Sequence, residues 1–132
     1  MAPEFVVAED GTRLAYEIDG SGRPLILHLG GGCDASLWRA AGYVDRLAVR
    51  HQCILFDHRG HGQSDRPPGA AANHVDRYAS DVTALLDALG IEAADFWGYS
   101  SGGVVGLKVA DAYPARIHRL VVSGEIWDPG PR

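Results

Sequence analysis

Ser100 stands at the centre of Gly98-Tyr99-Ser100-Ser101-Gly102, with an apolar stretch before it and small, then apolar, residues after it. That spacing matches G-x-S-x-G, a pattern that supports acyl transfer when a strand ends and a helix begins around the serine. A turn so sharp brings the residues two before and two after the serine together, which is the reason for glycine at 98 and 102. The hydroxyl is pushed outward at the carboxyl edge of the sheet. It also lies at the N-terminus of the next helix, whose backbone N–H groups favour developing negative charge. A serine hydroxyl is nevertheless a poor nucleophile at neutral pH without a general base, normally a histidine held by a carboxylate. Only His118 follows Ser100 in the chain. It opens the apolar run 117–123, so a strand there would separate it from the serine by roughly 20 Å.

Other chemistries fit less well. There is no G-x-G-x-x-G and no G-x-x-x-x-G-K-[ST], the only lysine being Lys108, so a nucleotide-binding reading loses. His58 and His61 in "DHRGHGQSD" are three apart on an irregular loop with no thiolate or carboxylate completing a ligand set. They read as solvated turn residues, and no metal site is expected. Asp57 ends an apolar run, and Arg59 is expected to pair with it or to cap neighbouring carbonyls. Trp38 and Trp97 read as packing residues.

The elements that must position Ser100 follow from periodicity. "EFVVAEDGTRLAYEID" reads as two strands around Asp10-Gly11, a tight hairpin with positive φ at both central positions. "PLILHLG" (24–30) and "CILFD" (53–57) are continuous apolar runs, as expected of parallel strands covered on both faces. Between them, Leu37, Ala40, Ala41, Val44, Leu47 and Ala48 recur at helical spacing over 35–49. Residues 75–89 form a second amphipathic helix closed by Gly90. "ADFWG" is a strand, "SGGVVGLKVADAY" a helix stopped by Pro114, and "IHRLVVS" (117–123) a last strand. Strands alternating with helices imply an α/β domain with a mostly parallel sheet and an N-terminal β-hairpin.

The chain has 132 residues and reads as a single domain over 1–132. A net charge of −5 offers nothing to nucleic acid or an anionic membrane. No apolar run reaches membrane-spanning length, and the N-terminus lacks the pattern of a signal peptide. Cys33 and Cys53 show no metal spacing and read as free thiols in a reducing compartment. The expected location is therefore cytoplasmic.

Three blocks, "HLGGGCDASLW", "DHRGHGQSD" and "GYSSGG", follow three successive strands in an order that resembles the α/β-hydrolase family. The chain is most similar to its esterase, lactonase and cofactor-free haloperoxidase-like members. The resemblance implies a serine nucleophile at Ser100 and an oxyanion hole from the backbone N–H groups of Ser101 and Gly30, with Gly31 as the alternative. It implies carboxylic ester or lactone substrates and no cofactor. Tyr99 and Leu29 would line the substrate pocket, Leu29 standing where the family has the glycine of a His-Gly pair. Some relatives place the catalytic acid directly after the strand at 117–123, which points to Glu125, with Asp128 close behind. The resemblance spans six of eight strands and neither lid nor catalytic histidine. Three readings remain: part of a longer enzyme, a half completed by another chain or copy through the exposed sheet edge, or a non-catalytic binding or assembly module.

Overall fold

The computed structural model describes residues 3–29 and 33–124. Six strands, β1 (Glu4–Val7), β2 (Arg13–Asp19), β3 (Arg23–Leu29), β4 (His51–Phe56), β5 (Ala94–Tyr99) and β6 (Ile117–Ser123), form one sheet in the order β1-β2-β4-β3-β5-β6. β1 and β2 are antiparallel to their neighbours, whereas β4, β3, β5 and β6 run parallel. Leu29 pairs with Tyr99 and Tyr99 with Ser123, so the carboxyl ends of β3, β5 and β6 finish level.

One face of the sheet is packed by α3 (Val75–Ala88) and α4 (Ser101–Ala112). Ala79, Val82, Leu85 and Leu86 of α3, with Val105 and Val109 of α4, close over Leu14, Ile26, Ile54 and Phe96. α3 ends as its sequence demands. Gly90 adopts φ +68°, the Gly90 N–H donates to the Asp87 carbonyl, and the Ile91 N–H donates to that of Leu86. That is the paired arrangement by which a left-handed residue satisfies the last carbonyls of a helix.

The opposite face is covered by two short helices, α1 (Ser36–Ala40) and α2 (Tyr43–Leu47), rather than the single helix expected over 35–49. Gly42 between them takes φ +85°, which ends one helix and redirects the next. Each places one large residue in the core, Trp38 and Val44, against Leu25, Leu27, Cys53 and Leu55.

The hairpin also differs in detail. Only Gly11 has positive φ, at +86°; the Gly11 N–H donates to the Ala8 carbonyl and the Ala8 N–H to that of Thr12. This is a three-residue connection whose last residue is left-handed, so Asp10 keeps an ordinary backbone and its carboxylate is free for other work.

Candidate active site

The chain leaves β5 at Tyr99 and enters α4 at Ser101, leaving Ser100 alone on the turn at φ 56°, ψ −127°. Among the described residues it is the only non-glycine with positive φ. Such a conformation costs on the order of 1–3 kcal/mol and persists only where its surroundings hold it. They do: the Ser100 N–H donates to the Ser123 carbonyl at 2.8 Å, and its carbonyl accepts from the Gly103 N–H at 2.8 Å.

The flanking glycines serve two different contacts. A Cβ on Gly98 would overlap the backbone of Gly102 and Gly103, as the sharpness of the turn requires. A Cβ on Gly102 would instead strike the carbonyl of His28 at the end of β3. Gly102 therefore lets α4 press against the neighbouring strand, not against Gly98.

The carboxyl edge around Ser100 carries two hollows. A groove of about 450 Å³ is lined by Leu29, Leu37, Trp38, Tyr43, Trp97 and Tyr99. Its aromatic rings pack edge to face, Trp38 on Trp97 with centroids 4.9 Å apart and Tyr43 on Trp97 at 5.1 Å. The Trp97 indole N–H donates to Ser123 Oγ at 2.8 Å, linking the groove to the residue that holds Ser100. The second hollow, about 300 Å³, lies on the other face, where Ser101 and Val105 of α4 meet His58, His61 and Tyr78.

The loop after β4 is built differently from expectation. Arg59 does not pair with Asp57. Its guanidinium is buried, donating to Asp81 at 2.6 and 2.7 Å, to Asp10 at 2.8 Å and to the Ala72 carbonyl at 2.9 Å. Arg59 holds the Asp10 carboxyl far below the usual carboxylate range, while burial pushes that of Asp81 up against the pull of the same arginine. Asp57 instead clamps two loops, accepting the Ala35 N–H on Oδ1 at 2.8 Å and the Gln63 N–H on Oδ2 at 2.9 Å. Gly62 is glycine because a Cβ there would overlap that carboxylate.

Of the two loop imidazoles, His61 is half-buried and only His58 departs fully from a solvated turn residue. His58 is buried, its ring 4.1 Å from Tyr78 and 5.3 Å from both His28 and His61. Desolvation, helped by the charges of His61 and Arg59, lowers its pKa to about 4. Behind it His28 is wholly buried and stacked on Phe56 at 4.4 Å, with neither ring nitrogen hydrogen-bonded to protein. Burial drives its pKa well below the ordinary value too. His28 was legible only as an odd polar residue inside the apolar run "PLILHLG". Among the described residues, no group of three or more His, Cys, Asp or Glu is placed to hold a metal ion.

Of the expected site residues, Ser100, Ser101, Tyr99 and Leu29 converge on the carboxyl edge of β3 and β5. Gly30, Gly31, Glu125 and Asp128 lie outside the described residues. His118 sits exposed at the opposite end of β6 from Ser123.

A parallel sheet opened by an antiparallel pair and ending in a strained serine turn defines a class, and the chain belongs to it: the alpha/beta hydrolase fold family, whose model matches residues 23–130. A protein of Azorhizobium caulinodans named "Putative carbamate hydrolase RutD" is 40% identical over 109 residues, covering 83% of this chain and 40% of its own length. A hydrolase from Pseudomonas aeruginosa PA01 superposes with TM-score 0.88 at 36% identity, covering 96% of this chain and 48% of that one. The enol-lactonase from Burkholderia xenovorans LB400 superposes with TM-score 0.82 at 33% identity, over 89% and 45% respectively. The chain thus spans less than half the length of these relatives. No helix among the described residues is long and apolar enough to cross a membrane.

Proposed function

We propose that this chain is the nucleophile-bearing part of a serine hydrolase acting on carboxylic ester or lactone bonds. The observation that carries the reading is Ser100, the one non-glycine described residue with positive φ, on a strand-to-helix turn that its neighbours hold in place. Ser100 Oγ attacks the substrate carbonyl. The backbone N–H groups of Ser101 and Gly30 stabilise the oxyanion, and water releases the acyl group from the serine. Leu29 and Tyr99 present the mouth of the aromatic groove to the substrate, so an apolar group lies on that side. Glu125, with Asp128 close behind, is the candidate acid, and the histidine that activates Ser100 is supplied from outside these residues. The small-molecule substrate, absence of a cofactor and cytoplasmic setting belong to the same reading.

The test is a fluorophosphonate probe applied to the longer protein in which these residues stand. Covalent labelling at Ser100, lost in Ser100→Ala, is the expected result, and an unlabelled Ser100 would end the proposal. A second reading, a non-catalytic binding or assembly module, is favoured by one observation: the only histidine after Ser100 lies at the wrong end of β6. The edge position of β6 gives such a module a place to pair with a second chain. Robust ester turnover by the 132-residue chain itself, abolished by Ser100→Ala, would overturn both the missing base and this alternative.

A further inference from the structure

The hollow beside Ser101 has a chemical character that the aromatic groove lacks. His61 Nδ1 lies 3.1 Å from the Arg59 carbonyl oxygen. A carbonyl only accepts, so Nδ1 must carry the proton, and in the neutral ring Nε2 is left with its lone pair. The His61 ring lines the hollow together with His58 and Ser101, and Tyr78, Val104 and Val105 supply apolar walls. Among the described residues neither lysine nor arginine lines it, and His58 stays uncharged at neutral pH because burial holds its pKa down at about 4. Among the described residues the hollow therefore presents a hydrogen-bond acceptor beside apolar walls, and no lysine or arginine to attract a carboxylate or phosphate.

We propose that this hollow is a binding subsite for an uncharged group with an apolar body and an O–H or N–H donor, which His61 Nε2 accepts. Resting on the serine-hydrolase reading, it holds the part of the substrate lying across Ser101 from the aromatic groove. The substrate class becomes esters or lactones that carry a free hydroxyl or amide N–H on one side of the scissile bond and an apolar group on the other.

The test uses an isosteric pair, 4-phenylbutan-2-ol and 4-phenylbutan-2-one, alike in skeleton but differing in the O–H. Each is titrated into the 132-residue chain with ¹⁵N-labelled imidazoles and followed by long-range ¹H–¹⁵N and methyl spectra. The expected result is a protonated Nδ1 and bare Nε2 on His61. The alcohol should move the His61 Nε2 and Val104 and Val105 signals, binding roughly three- to tenfold more tightly than the ketone. His61→Leu should erase that preference while keeping apolar binding, and His61→Gln, which retains an acceptor, should restore part of it. Equal affinities, a proton on Nε2, or shifts confined to Trp97 and Tyr99 would overturn the subsite. Fluorophosphonate labelling reads the other question separately. An unlabelled Ser100 with the alcohol preference intact sinks the hydrolase reading and leaves the subsite. A labelled Ser100 with no preference does the reverse.

Discussion

The two faces of the sheet are covered to very different degrees. On one, α3 of 14 residues is about 21 Å long, enough to run the length of a strand, and its apolar stripe leaves Leu85, Leu86 and Val82 with no exposure. On the other, helices of five residues each reach only about 8 Å and sit over β3 and β4. Trp97 meets Trp38 of α1 and Tyr43 of α2, but among the described residues no helix covers Tyr99 and Val121 at the ends of β5 and β6, which are 48% and 52% exposed. Parallel strands are normally buried on both faces. The α3–α4 face carries the larger buried core, and each face leaves a hollow at its carboxyl end, the larger one on the half-open side.

The largest effect that would break this comparison is at the salt-bridge network sealing the first face. Asp81→Ala strands the buried Arg59 charge with only Asp10 and a carbonyl as partners. Removing one member of such a pair costs about 3–5 kcal/mol. Urea denaturation should show most of the stability gone, whereas replacing Arg59 and Asp81 together by leucines should cost less. A single substitution within 1 kcal/mol of the parent would mean the network is not the seal.

Acid comes next. His58 and His28 are held neutral in the folded chain, with pKa values below the ordinary 6.5, whereas the unfolded chain takes up protons from about pH 6.5 downward. The stability they contribute is therefore full above pH 6.5 and is lost as the pH falls toward the folded value of about 4 for His58. For His58 alone the loss is about 3 kcal/mol, and His28 adds to it in the same direction. His58→Phe, which keeps a ring against Tyr78, should flatten the curve between pH 6.5 and 4. An unchanged slope would place the acid sensitivity elsewhere.

These two predictions also mark where the sequence could be read and where it could not. Strand and helix periods, the order of elements and the glycines around Ser100 are local signals, and they located β3 through β6, α3 and α4. Gly42 was invisible as a helix break because apolar spacing alone carries through it; only its backbone angle reveals the interruption. The acidic partners of Arg59 were missed for a different reason, although a bond to a backbone carbonyl, that of Ala72, was among the expectations. Asp57 is two residues away, but the acids that bury the guanidinium come from the β1–β2 turn and from α3, separations of 49 and 22 residues that no local pattern reports. His58 was misjudged likewise, since a loop residue looks solvated until Tyr78 of α3 folds over it.

A smaller effect separates the two loops at the site. Asp57→Asn keeps one acceptor oxygen but loses the charge that strengthens the bonds from Ala35 and Gln63. The expected cost is about 1–2 kcal/mol in urea. Faster amide exchange should appear at Ala35 and Gln63 together; exchange rising at Gln63 alone would leave the loop before α1 held by something else.

The smallest expected effect tests the open face most directly. Leu120 and Val121 are adjacent on β6 and point to opposite sides, Leu120 against the α3–α4 core and Val121 beside Trp97. Leu120→Ala should cost about 2 kcal/mol, because the sealed side cannot collapse around the lost atoms. Val121→Thr should change stability by less than about 0.5 kcal/mol, since the side chain is already half in water. That difference must persist at every protein concentration if the face is open in solution. If Val121→Thr instead costs more than about 1 kcal/mol, and more at high concentration than at low, then a second copy covers β6, and the face described as open is an interface.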